Sequence, residues 1–78
     1  MAVEKEIGRI QVDSNTDIVI RLTAYRGKEG LDIRFYIKSG AYRGFTKQGI
    51  RIPLDKIDEL RSLLVRAKDE IRMRPSIL

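Results

Sequence analysis

The stretch Arg21-Leu22-Thr23-Ala24-Tyr25-Arg26-Gly27-Lys28-Glu29-Gly30-Leu31-Asp32-Ile33-Arg34-Phe35-Tyr36-Ile37 decides the reading of this chain. It is two period-two runs around a glycine-punctuated turn. From Ile18, the residues Ile18, Ile20, Leu22 and Ala24 share one face, while Val19, Arg21, Thr23 and Tyr25 share the other. After Arg26 to Gly30, Leu31, Ile33, Phe35 and Ile37 alternate with Asp32, Arg34, Tyr36 and Lys38. Such alternation marks half-buried strands, and pairing them antiparallel places both apolar sets on one side.

Outward from this hairpin, Ile7 to Val12 reads as a strand, and Asp13 to Asp17 is a run of turn formers. Beyond Ser39-Gly40, Ala41 to Phe45 reads as a short third strand, counted from the one that begins at Ile18. Lys47-Gln48-Gly49 then leads to another, Ile50-Arg51-Ile52. After Pro53 the period changes: Ile57, Leu60, Leu63 with Leu64, Ala67 and Ile71 recur at helical steps. Asp55, Asp58 and Glu59 at its start and Arg72 and Arg74 at its end suit the helix dipole, and Pro75 ends it. Val65 lies off the apolar stripe and is a candidate for a dimer seam. The expected class is α+β (β-β-β-β-α): a four-stranded curved antiparallel sheet with one long C-terminal helix packed on one face, in a dimer. Residues 1–78 read as one domain, with 1–6 and 75–78 as flexible ends.

Charge is distributed unevenly. The chain has 78 residues and a formal net charge of +5, yet positions 21–51 alone hold eight basic residues against two acidic ones. All five aromatics, Tyr25, Phe35, Tyr36, Tyr42 and Phe45, fall in the same stretch. If the helix covers the apolar face, parity leaves Arg21, Thr23, Tyr25, Arg34, Tyr36, Lys38 and Arg51 on the open one. Basic groups interleaved with aromatics fit a surface that holds phosphates and stacks bases. The chain has no cysteine or histidine, so disulfides and thiolate or imidazole metal sites are excluded. No cofactor is implied. No nucleophile–base pair or phosphate-cradling loop argues for an enzyme. The acidic triplet Asp55, Asp58, Glu59 reads as a solvated helix start. No membrane span or signal peptide is visible, so the expected location is cytoplasmic, with the nucleoid or nucleus following from the source.

Tyr25-Arg-Gly-Lys-Glu-Gly-Leu-Asp32-Ile33-Arg34-Phe35-Tyr36, then Lys47-Gln-Gly-Ile50-Arg-Ile52 and a leucine-rich helix, resemble the transcriptional positive cofactor 4 domain over roughly residues 7–71. The resemblance implies a dimer, joined through helices and sheet edges, whose sheets form grooves for single-stranded DNA with little sequence preference. Carried over by position, the hairpin aromatic is Tyr25, the basic hairpin contacts are Arg26 and Lys28, and the Asp-Ile-Arg arginine is Arg34. Lys47 precedes the Gly-Ile pair. Two positions depart from the pattern: Gln48 replaces a second basic residue, and Ile37 stands where a second aromatic is common. Stacking there is lost unless Phe45 or Tyr42 substitutes for it. The nucleic-acid-binding set is therefore Tyr25, Arg26, Lys28, Arg34, Tyr36, Arg43, Phe45, Lys47 and Arg51. The expected partners are single-stranded DNA or RNA, a second copy of the chain, and transcription or repair proteins. The competing reading is a protein-interaction module whose basic face docks an acidic partner.

Overall fold

The computed structural model describes residues 4–73. Four strands, β1 (Lys5–Gln11), β2 (Thr16–Tyr25), β3 (Lys28–Ile37) and β4 (Gly44–Pro53), form an antiparallel meander in the order β1-β2-β3-β4. One turn of 3-10 helix, Leu54–Lys56, leads into α1 (Ile57–Met73). The helix stop expected at Arg74 and Pro75, like the expected end 75–78, lies outside the described residues. At the other end, β1 starts at Lys5, so residues 5 and 6 belong to the sheet and not to a mobile lead.

The central hairpin has the expected parity. Val19 faces Arg34, Arg21 faces Asp32, Thr23 faces Gly30 and Tyr25 faces Lys28, all on one side. Its loop is tighter than the sequence implied, because only Arg26 and Gly27 lie outside the strands. Both take positive φ, 51° and 76°, the pattern of a two-residue hairpin turn whose twist matches the strands. The β1–β2 turn is held by Val12 N–H donating to the Thr16 carbonyl at 2.9 Å and by Asn15 N–H donating to Asp13 Oδ1 at 2.8 Å.

In place of the two short strands expected at 41–45 and 50–52, the chain forms one strand, β4, over Gly44–Pro53. Its register against β3 shifts between Arg34 and Tyr36, so that Gly49 faces Arg34 while Phe45 faces Tyr36. A bulge over 46–48 absorbs the extra residues. Lys47 and Gln48, expected only to lead into the last strand, lie in this bulge, and Ala41 to Arg43 are not strand.

The helix corrects the expectation more deeply. α1 does not pack on the sheet: it buries none of its residues, and its tertiary contacts centre on the preceding 3-10 turn. Leu63, Leu64 and Ile71 stand exposed on its apolar stripe. The apolar sheet face, with Ile18, Ile33, Phe35 and Ile50, frames an open depression of about 260 Å³. The radius of gyration is 15.0 Å, where a compact chain of this length would have about 11 Å. The physical reason is that α1 leaves β4 by a single short turn and projects from the sheet, so one chain cannot close its own apolar layer.

The better-buried face is the polar one. Val19, at 0 % exposure, is the fully buried apolar side chain among the described residues, and Asp17, Thr23 and Asp32 are buried on the same face. Short side chains in the middle strands are covered by long arginines and aromatics lying over them.

Candidate nucleic-acid interface

Asp32 is the hub of the polar face. Only 4 % exposed, it accepts from Arg21 Nη2 at 3.0 Å through Oδ2. Arg34 donates to both its oxygens, from Nε at 3.2 Å and Nη2 at 3.0 Å. Burial pushes the Asp32 carboxyl up, but the hydrogen bonds from Arg34 and Arg21, with their charges, outweigh it and hold the group below its ordinary value. The same pairing raises the Arg34 guanidinium.

Arg34 also donates to the Thr46 carbonyl at 3.1 Å, tying β3 to the β4 bulge. It lies over Gly49: a Cβ there would sit 3.0 Å from the Arg34 guanidinium carbon and 2.7 Å from the Ile33 carbonyl oxygen. Arg51 does the same across Gly30, whose added Cβ would approach its Nε to 3.0 Å. Arg51 donates to the Thr23 hydroxyl, to the Thr23 carbonyl at 3.1 Å and to the Lys28 carbonyl at 2.8 Å. These two arginines are built into the sheet by glycines that leave room for them.

The aromatics form a row. Tyr36 and Phe45 meet edge to face, with centroids 5.0 Å apart at 80°. Arg21 caps Phe45 at 4.0 Å and Arg9 caps Tyr36 at 4.7 Å. At the opposite end of β3, about 26 Å away at 3.3 Å per strand residue, Tyr25 is 62 % exposed. Arg26 lies 5.3 Å from its ring. No ion pair or side-chain hydrogen bond is seen among the described residues for Arg26, Lys28, Arg43 or Lys47.

The nine residues singled out by sequence therefore divide. Tyr25, Arg26, Lys28 and Arg51 gather at the β2–β3 hairpin. Tyr36 and Phe45 pair with each other, and Arg34 is committed to Asp32. Lys47 sits in the β4 bulge and Arg43 in the loop before β4, apart from the hairpin. Sequence reasoning missed Arg9 as a member of this surface. The signal was Gly8, since a glycine inside a strand pattern marks a bulge.

Arg26 carries a conformational cost. A non-glycine residue in the left-handed region is destabilised by about 1–2 kcal/mol, and Asn tolerates that region better. Arg26→Asn is expected to raise Tm by several degrees in a thermal melt. An unchanged or lower Tm would show that the Arg26 contact with Tyr25 offsets the backbone cost.

Among the described residues no group of three acidic side chains is placed to hold a metal ion, and no helix is long and apolar enough to cross a membrane. Neither a family model nor a curated protein sequence matches the chain. Solved structures do. The chain is similar to BPSL1147, a PC4 homolog from Burkholderia pseudomallei, in its orthorhombic crystal form: 26 % identity, TM-score 0.74, covering 82 % of this chain and 88 % of that one. The tetragonal form gives 25 % identity and TM-score 0.73, covering 85 % and 98 %. The likeness covers the four-stranded antiparallel sheet and the single C-terminal helix, so the fold of this chain is similar to that of a bacterial PC4 homolog.

Proposed function

We infer that this chain is a dimeric, sequence-tolerant binder of single-stranded nucleic acid, DNA in the first place, serving transcription, replication or repair in the cytoplasm or nucleoid. The observation that carries the reading is the β2–β3 hairpin. A two-residue turn presents the Tyr25 ring, still 62 % exposed with Arg26 over one face, opposite Lys28 on β3, and neither cation has an internal counter-ion among the described residues. A π-face beside unneutralised cations recognises what every nucleotide offers, a base and a phosphate, without reading its identity. Arg34 and Arg51 serve mainly by shaping the surface, because three of the five N–H donors of each are already used within the chain. Dimerisation is supported by the uncovered apolar sheet face and the unburied helix.

The test is fluorescence anisotropy of a labelled single-stranded oligonucleotide at two salt concentrations, beside the matching duplex. Tight single-strand binding that falls with salt is expected. Tyr25→Ala should weaken it by about 1–3 kcal/mol, roughly 5- to 150-fold, with the salt slope unchanged. Lys28→Ala should reduce that slope by about 0.7. Equal affinity for duplex, or an inert Tyr25→Ala, would overturn the stacking site and favour a charge-docking surface for an acidic protein.

A further inference from the structure

The β1 strand carries a device that the hairpin site does not explain. In a regular strand Glu6 and Arg9, three residues apart, would point to opposite faces. Here the register slips between Glu6 and Gly8: Glu6 faces Arg21, Gly8 faces Ile20 and Arg9 faces Val19. The extra residue, Ile7, restores parity and brings Glu6 and Arg9 to the same polar face, as bulges do when they re-aim a side chain. Arg9 then donates to Glu6 twice, Nε to Oε2 at 2.9 Å and Nη2 to Oε1 at 3.1 Å. On its far side Arg9 Nη1 lies 3.6 Å from Asp17 Oδ2, and Asp17 is itself bridged by Lys38 at 3.0 Å. The guanidinium, fixed by two carboxylates, lies over the Tyr36 ring.

An aromatic ring stacks a base only on an open face, and Arg9 occupies this one. The cover is also removable. Arg9 is 37 % exposed at the side chain, and a nucleic-acid phosphate offers its guanidinium an alternative to Glu6. We propose that Arg9 is a lid over Tyr36, latched by Glu6, and that Tyr36 becomes a second base-stacking platform when an incoming strand draws Arg9 off the ring. This rests on the single-strand-binding reading above and adds a conditional site at the far end of β3 from Tyr25. A strand long enough to reach both ends gains the second stack; a short one held at the hairpin does not. The same latch shows in the acid–base chemistry, since the hydrogen bond from Arg9 holds the Glu6 carboxyl below its ordinary value.

The test is a double-mutant cycle on oligothymidine binding by the full chain, using Glu6→Gln, Tyr36→Leu and the double variant, each first checked for folding by circular dichroism. Releasing the latch should tighten binding about two- to fivefold where Tyr36 is present. With Tyr36→Leu, only the smaller gain from removing one negative charge should remain. A gain of equal size in both backgrounds would reduce Glu6 to a distant repulsive charge and overturn the lid. Weaker binding by Glu6→Gln would overturn it as well, by showing that Arg9 contributes in the latched position. The cycle separates this proposal from the one beneath it. Failure of the parent protein to bind at all sinks both, whereas parent binding without a Tyr36-dependent gain sinks the lid alone.

Discussion

Asp32→Ala is expected to cost this domain about 3–5 kcal/mol, the typical loss when one partner of a buried ion pair is removed. The substitution leaves Arg21 and Arg34, whose side chains are mostly covered, facing each other with no carboxylate between them. It also removes three hydrogen bonds of 3.0 to 3.2 Å. A chain of 78 residues holds a total stability of about 4–12 kcal/mol at the usual per-residue value, so the loss is a large fraction of it. Urea or thermal unfolding followed by circular dichroism is the measurement. Asp32→Asn keeps the shape and one acceptor and should lose less. If Asp32→Ala melts within two or so degrees of the parent, the polar face is held by its packing and the carboxylate is dispensable.

The same residue fixes a dependence on pH. The folded Asp32 carboxyl titrates below its ordinary value, so the folded state binds this proton less readily than the unfolded one. The stabilisation is therefore complete above the unfolded value of about 4 and is lost as pH falls through the lower folded value. The stability gap between parent and Asp32→Asn should stay constant at neutral pH and close in acid. A gap that did not narrow as the pH fell below the ordinary carboxylate range would place its origin elsewhere.

The strands were legible because alternation survives in any register: Val19, Arg21 and Thr23 could be assigned to one face before their partners were known. What alternation does not carry is the cost of closing each face. It marked Leu22, Ile33 and Ile50 as core, and inside one chain their face is the open one, since the helix that would cover it turns away after Lys56. Bulges were the second blind spot. Lys47-Gln48-Gly49 has turn composition, and only the pairing of Gly49 with Arg34 and Phe45 with Tyr36 shows it to be a bulge inside β4. Ile7 hid Arg9 in the same way, by reversing the parity of everything before it. In the candidate site, the hairpin residues were readable because Tyr25, Arg26 and Lys28 are adjacent in sequence. The fates of Arg34 and Arg51 were not, because each is settled by a glycine and a carbonyl on another strand.

Leu64→Glu is expected to abolish the proposed dimer. Leu64 lies at the middle of the α1 stripe formed by Ile57, Leu60, Leu64, Ala67 and Ile71, and in the isolated chain it is 62 % exposed. Replacing so exposed a side chain costs little within one chain, typically within about 0.5 kcal/mol. Any large loss must come from a partner. In a two-fold dimer the patch meets its own copy or the partner's sheet, so each substitution is felt twice, at about 2–5 kcal/mol for a buried leucine removed from each site. Sedimentation equilibrium should find the parent near twice its 9.0 kDa chain mass and Leu64→Glu at the single-chain mass. The parent Tm should rise with protein concentration, and that of the variant should not. Val65→Glu, one residue along and about 100° round the helix, is the contrast. Retained dimer there would place the seam on the leucine stripe, whereas loss with Val65→Glu and retention with Leu64→Glu would move it to the other face. Should the parent itself run as a single chain, the uncovered face of Ile18, Ile33, Phe35 and Ile50 would have to be closed by a different protein, and the dimeric part of the proposed function would fall.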